Sequence, residues 1–204
     1  FGGSYGWSSA GRLHHARTLV RRFLFAGGGC VDQIGNYSWG AAQTLLPHVI
    51  GTYAPVTGRV TDWPSIARHT QLFVAFGGLA PKNGQVNSGG GGEHTMEHWI
   101  GAAKQAGCAF VVISPARIDC PAFLGADWIP IRPNTDTALM LALAHVLVTE
   151  TLHDQNWLER YCAGFERFLP YVTGKADGIA KTPRWAENIT RVPADTIRAL
   201  ARRM

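Results

Sequence analysis

Gln71-Leu72-Phe73-Val74-Ala75-Phe76-Gly77-Gly78 and Ala109-Phe110-Val111-Val112-Ile113-Ser114-Pro115 are the two stretches whose reading decides the fold. Each is a short, unbroken apolar run, without the polar–apolar alternation of a strand that keeps one face wet. Such runs suit strands buried on both faces, as in parallel sheets. Between them, residues 94–106 have a helical pattern and follow the loose Ser88-Gly89-Gly90-Gly91-Gly92 loop. Strand, helix and strand in that order predict a right-handed βαβ crossover. Working outward, residues 127–131 form a third short strand candidate and residues 136–149 a strongly apolar helix. Helices around 155–163, 183–188 and 194–203 complete a peripheral helical layer. On the N-terminal side, apolar residues from Leu13 to Leu24 recur at a helical period over 12–25 and stop at Gly27-Gly28-Gly29. A second helix starts with Ser38 as N-cap, runs through Leu46 and ends near Pro47 and Gly51. The expected fold class is α/β: a mostly parallel sheet with flanking helices, a Rossmann-like dinucleotide-binding domain, plus the peripheral helical layer. Residues 61–204 carry that domain, and residues 1–60 are a loop and helical segment of a larger one.

Composition narrows the function. A chain of 204 residues with 46% hydrophobic content can bury a sizeable core. No run approaches the roughly 18 apolar residues that span a bilayer, so no membrane span is expected. The net charge of +5 is dispersed, with only local pairs at Arg21-Arg22 and Arg202-Arg203. That is not the basic stripe interleaved with aromatics of a nucleic-acid binder, and an anionic small ligand fits equally well. Cys30, Cys108, Cys120 and Cys162 lie far apart without a Cys-x-x-Cys pair, so they are expected to be core or semi-buried thiols rather than zinc or iron–sulfur ligands. There is no internal repeat. A chain opening on Phe1, with a functional-looking loop at residue 4, reads as a piece of a longer polypeptide.

Two regions carry candidate chemistry. Phe1-Gly2-Gly3-Ser4-Tyr5-Gly6-Trp7 holds one hydroxyl between glycines, which let other groups approach the backbone closely. The other region is the carboxyl ends of the strands, where a parallel sheet binds its ligands. Gly77-Gly78 leaves room for a phosphate or a planar ring. Ser114-Pro115-Ala116-Arg117 offers a hydroxyl, a rigid turn and a guanidinium suited to phosphate. Arg132-Pro133-Asn134-Thr135-Asp136 adds a second Arg, and its carboxylate can accept two N–H bonds from a guanine edge. Taken singly, Gly77-Gly78 can be a strand-ending turn, Arg117 a surface ion pair, and Asn134 or Thr135 the N-cap of the next helix. His14 and His15, adjacent on one helix, point about 100° apart and cannot share a metal ion.

Gly2-Gly3-Ser4-Tyr5-Gly6-Trp7, continued by Gly11-Arg12-Leu13-His14, resembles the serine loop of the dimethyl sulfoxide, trimethylamine N-oxide and biotin sulfoxide reductases, a branch of the molybdopterin oxidoreductases. The likeness continues at Ala41-Ala42-Gln43, Leu46 to Gly51, Ser114 to Arg117, Gly125-Ala126-Asp127, Arg132 to Leu141 and Leu152-His153-Asp154, and so covers nearly the whole chain. The resemblance implies a Mo-bis(molybdopterin guanine dinucleotide) cofactor with the Ser4 oxygen as protein ligand to molybdenum. A hard, high-valent metal matches an oxygen ligand. It further implies that Pro47 and His48 line the pterin region, and that Gly77, Gly78, Ser114, Pro115, Arg117, Arg132, Pro133, Asn134, Thr135 and Asp136 hold one guanosine diphosphate arm. The implied reaction is molybdenum-dependent reduction of a small S-oxide or N-oxide. The implied electron donor is a c-type cytochrome, a membrane quinol oxidase or a small thiol protein, and the implied compartment is the periplasm, with the cytoplasm as the alternative. The family often has Asn or Asp where Ser114 stands.

Two other function classes compete. Gly2-Gly3-Ser4-Tyr5-Gly6 also fits G-x-S-x-G, the nucleophile elbow of serine hydrolases, although that elbow needs a strand just before the serine and a helix just after it. The third class is a non-catalytic guanine-nucleotide-binding module. Tyr5 and Trp7 either wall a substrate funnel or simply pack.

Overall fold

β1 (Leu72–Phe76), β2 (Ala109–Ile113) and β3 (Asp127–Ile129) form a parallel three-stranded sheet in the order β1-β2-β3. The structure is a computed structural model that describes residues 1–3, 15–32, 39–54, 61–84 and 94–204. Leu72 to Phe76 pair with Ala109 to Ile113, and Val111 to Ile113 pair with Asp127 to Ile129. The central strand is the one the unbroken apolar run describes best. Phe110, Val111, Val112 and Ile113 are all buried, whereas most of β1 is only half-buried. β3 stops at Ile129, two residues short of the expected 127–131. The next residue, Pro130, has no N–H to continue a ladder.

The described chain falls into two compact units, Phe1–His69 with Pro81–Ala103, and Thr70–Ala80 with Lys104–Met204. The second unit holds the sheet and α5 (Asp136–Thr149), α6 (Gln155–Tyr161), α7 (Phe165–Val172), α8 (Pro183–Thr190) and α9 (Ala194–Arg203). Its core joins Val111 and Ile113 to Leu139, Leu143 and Val146 of α5, Ala186 of α8, and Ile197 and Leu200 of α9. On α5 the buried residues Ala138, Leu139, Ala142, Leu143 and Val146 follow the i, i+4, i+8 rule of a helix face. Start signals are where side-chain chemistry puts them. Asp154 caps α6 by accepting the Trp157 N–H (3.0 Å), and Thr182 caps α8 by accepting that of Trp185 (3.1 Å), with Pro183 at the first helical position. α7 was not expected from the sequence. It is short, contains Pro170 and begins beside Gly164 in the left-handed region, which together hide its period.

The first unit contains α1 (Ala16–Ala26), α2 (Gly40–Ile50), α3 (Trp63–His69) and all but the last two residues of α4 (Met96–Gln105). α1 begins at Ala16 because His15 caps it, its ring Nδ1 accepting the Thr18 N–H at 3.2 Å. His15 is thus a helix cap, and His14 lies outside the described residues. Trp39, not Ser38, occupies the N-cap position of α2, and Ser38 lies outside the described residues. Pro47 sits inside the last turns of α2, which ends at Gly51 in the left-handed region (φ 78°). None of the residues of α1, α2 or α3 is buried, and Phe23 and Val49 are largely exposed.

Candidate functional site

Because all three strands run parallel, their carboxyl ends share one edge of the sheet. After β1, Gly77 and Gly78 take φ values of 93° and 107°, open to glycine and strained for residues with a Cβ. The Gly77 N–H donates to the Ile113 carbonyl at 2.8 Å and so extends the ladder by one step. A Cβ on Gly77 would meet nothing within 4 Å, whereas one on Gly78 would lie 2.5 Å from the Asp119 Cβ. Gly77 therefore faces open space and Gly78 lies against the neighbouring loop.

After β2, Ser114 is buried, at 1% exposure. Its Oγ–H donates to Asp119 Oδ2 (2.8 Å), its Oγ accepts the Ala116 N–H (3.2 Å), and its carbonyl accepts the Trp128 Nε1–H (3.0 Å). The hydroxyl expected to face a ligand is thus bonded within the protein. Arg117 is similarly committed: Nη1 donates to the Cys120 carbonyl (2.9 Å), and the guanidinium carbon sits 5.5 Å from the centroid of the Trp128 ring. Pro115 is exposed beside them.

The turn after β3 is different. Arg132, Pro133 and Asn134 are exposed, and Asn134 adopts φ 62°. The Arg132 backbone is anchored, its N–H donating to the Thr190 carbonyl at 2.9 Å. Among the described residues its guanidinium meets no hydrogen-bond acceptor or carboxylate. Thr135 holds the N-cap position of α5, but its hydroxyl donates back to the Arg132 carbonyl (2.6 Å) instead of accepting from the helix. Asp136 follows in the first helical turn, half-buried. An anion approaching this turn meets one uncommitted cation and a helix N-terminus without a side-chain cap.

The structure brings Gly77, Gly78, Ser114, Pro115 and Arg117 together around Asp119, and the Arg132 to Asp136 turn follows β3 on the same sheet edge. Pro47 and His48 lie on α2 in the other compact unit, both exposed. Ser4, Tyr5 and Trp7 lie outside the described residues; two residues before Ser4, the Gly2 N–H donates to the Val31 carbonyl at 3.1 Å. Asp119 and Trp128 were missed by sequence reasoning. Neither has a spacing signature, since their partners come together only through the strand register.

Three further features bear on the chemistry. Among the described residues no group of three or more His, Cys, Asp or Glu side chains is placed to hold a metal ion, and no helix is long and apolar enough to cross a membrane. Cys108 and Cys120 are buried and burial pushes the Cys108 thiol up, but Cys162 is exposed, against the expectation of core or semi-buried thiols. An apolar cavity of about 430 Å³ lies among α5, α6 and α7, lined by Ala144, Leu147, Leu158, Phe165 and Phe168. Its one ring of mixed character, His153, has both nitrogens near local partners, Leu147 O (3.2 Å) and Gln155 Oε1 (3.3 Å).

A family model described as molybdopterin oxidoreductase matches residues 1–190. The chain is 44% identical to a dimethyl sulfoxide/trimethylamine N-oxide reductase of Rhodobacter capsulatus, over 99% of this chain and 24% of that protein. It is 42% identical to a biotin sulfoxide reductase of Cereibacter sphaeroides, over 98% of this chain and 27% of that protein. A trimethylamine-N-oxide reductase of Haemophilus influenzae is 38% identical over 98% of this chain and 24% of its own length. The chain thus spans about a quarter of the length of these relatives. Among solved structures, the acetylene hydratase of Pelobacter acetylenicus superposes with a TM-score of 0.50 at 23% identity, over 68% of this chain and 18% of that one, a likeness of fold alone.

Proposed function

Because the chain belongs to the molybdopterin oxidoreductase family, we propose that it supplies the metal-ligand loop and one nucleotide-binding α/β layer of a molybdenum enzyme that reduces S-oxides or N-oxides. The observation that carries this reading is 38–44% identity along nearly the whole chain to relatives named for those reductions. It is supported by a parallel sheet whose strand ends present backbone and cationic groups. The hydrolase alternative gives way to the family match, and a binding module without catalysis fits the relatives' names less well.

The cofactor we propose is molybdenum held by molybdopterin in its bis(guanine dinucleotide) form. When bound, that group supplies the two-electron oxygen-atom transfer that turns an S-oxide into a sulfide or an N-oxide into an amine. The residues present suit a nucleotide arm. Gly77 leaves open space at the end of β1, and Gly78 lets the β1 loop lie flat on the β2 loop. Arg132 offers an uncommitted guanidinium to a diphosphate, the free N–H groups at the start of α5 add to it, and the Asp136 carboxylate suits the N–H edge of guanine. Arg117 and Trp128 brace the wall with their stacked pair. In this reading residues 61–204 are the Rossmann-like dinucleotide-binding domain, and residues 1–60 belong to the larger domain that carries the metal loop. Ser4 would give molybdenum its protein oxygen ligand, and Pro47 and His48 would face the pterin.

We assign the periplasm and a c-type cytochrome donor on the family resemblance, with a cytoplasmic enzyme served by a small thiol protein as the alternative. A twin-arginine leader in the reading frame distinguishes them. For the activity itself, Ser4→Ala in the holoenzyme is expected to lower oxide reduction by at least about a hundredfold while leaving pterin content near normal. Wild-type turnover in that variant overturns the ligand assignment.

A further inference from the structure

We infer that Asp119 is the positioning residue of the strand-end site, fixing the loop after β1 against the loop after β2 so that both present their backbones to a ligand in one register. The inference rests on the reading above that these loops receive the nucleotide arm.

Asp119 touches both loops with different parts of one residue. Its carboxylate Oδ2 accepts the hydroxyl proton of the buried Ser114 at 2.8 Å, which orients the first residue after β2. Its carbonyl accepts the Leu79 N–H at 2.8 Å, which holds the segment after the β1 glycines. Its own N–H donates to the Ala116 carbonyl at 3.1 Å, closing the short turn Arg117–Asp119. Finally, its Cβ lies where a Gly78 side chain would begin, 2.5 Å from that ideal position. Side chain, main chain and van der Waals surface thus all act on the same junction.

Among the described residues, one further backbone bond ties the two loops close to the sheet. β1 and β2 pair through Phe76 and Ile113, and the ladder adds only the Gly77 N–H to Ile113 carbonyl bond before the strands part. Past that point Gly77 and Gly78 occupy a region of backbone space in which glycine has wide freedom, and their conformation needs an external constraint. The Leu79 to Asp119 bond provides it. Ser114 acts through the same residue, because its proton goes to Asp119 and its oxygen accepts the Ala116 N–H. The preorganisation of a phosphate-facing loop is then a property of residue 119, although no side-chain contact with the ligand is required of it.

The test compares four forms of the holoenzyme: wild type, Asp119→Ala, Asp119→Asn and Ser114→Ala. Three quantities are measured on each: molybdenum and GMP released by acid hydrolysis per protein, the rate at which both are lost in mild urea, and KM for the oxide. Asp119→Ala keeps the carbonyl that holds the Leu79 N–H but leaves Ser114 without its acceptor, loosening the loop after β2 that carries this carbonyl, and is expected to speed cofactor loss about tenfold, with KM within twofold of wild type. Asp119→Asn keeps an oxygen for the Ser114 proton and is expected to retain the cofactor within about twofold of wild type. Ser114→Ala, which removes the other partner, should fall near Asp119→Ala. Retention in Asp119→Ala equal to wild type overturns the inference, as does a lower melting temperature of the cofactor-free protein with unchanged release, the mark of a purely structural role. Loss in Asp119→Asn as severe as in Asp119→Ala also overturns it, because the charge would then be bonding the ligand directly. Wild-type protein yielding neither molybdenum nor GMP sinks the strand-end reading itself and the role of Asp119 with it. Normal wild-type loading with an inert Asp119→Ala sinks only the latter.

Discussion

Arg117 and Arg132 look alike in the sequence, each following a strand and lying next to or near a proline, but the structure gives them opposite duties. Arg117 is tied to the Cys120 carbonyl and stacked on Trp128, in a corner where Ser114, Asp119 and Gly78 also interlock. Arg132 stands on an exposed turn, anchored by its backbone to Thr190, with its guanidinium uncommitted among the described residues. The difference teaches that a positive charge at a strand end is only a ligand candidate if its hydrogen bonds are still unspent. One corner of the site is built to be rigid, and the other is left available to an anion.

The sharpest way to break the rigid corner is Gly78→Ala. The new methyl would overlap the Asp119 Cβ and the residue would hold a positive φ, so a loss of about 2–4 kcal/mol in stability is expected from denaturant unfolding. A cost under about 0.5 kcal/mol means that the corner gives way easily and is not rigid. Next in size is Arg132→Ala in the holoenzyme, expected to weaken retention of the guanine nucleotide about tenfold, with the deficit shrinking as salt rises. Arg117→Ala sharpens the contrast: about 1 kcal/mol of stability lost with nucleotide retention within twofold of wild type. If the two variants exchange these outcomes, the comparison is inverted. The smallest effect belongs to a clasp away from the site. Hydrogen bonding with Arg202, at 2.7 and 2.8 Å, holds the Glu150 carboxyl below its ordinary value of 4.5. A depressed native pKa adds stability above the unfolded value and loses it as pH falls through the native one. The gap in denaturant midpoint between wild type and Arg202→Ala should therefore be present at neutral pH, narrow below pH 4.5 and vanish in stronger acid. A gap that persists at about pH 2 rules out the ion pair as its source.

Much of the fold was legible because local signals and tertiary context agree. The run ending at Ile113 became a strand with the expected bounds, the run ending at Phe76 lost only Gln71, and 136–149 became α5 without adjustment. β3 came out shorter because Pro130 cannot donate to a ladder, a limit already written in the sequence. α7 escaped because a proline and a glycine in so short a segment usually signal loops, and packing overrode them. The site was legible as a set of loops, since glycine, proline and arginine at strand ends are readable one at a time. What each side chain does there was not. Whether Ser114 offers its proton to a ligand or to Asp119, and whether Arg117 is free or stacked, depends on partners brought in by the register of β1, β2 and β3.

The last described helix has a bearing on how this protein is made. Ile197, Leu200 and Ala201 of α9 belong to the same buried cluster as Val111 and Leu139, while Arg202 and Arg203 reach back to Glu150 and Asp127. On a ribosome, the sheet and α5 would emerge well before the residues that close over them. Until residue 203 is outside the exit tunnel, the nascent chain carries an apolar face that α9 has yet to cover, and shielding it is work for a chaperone.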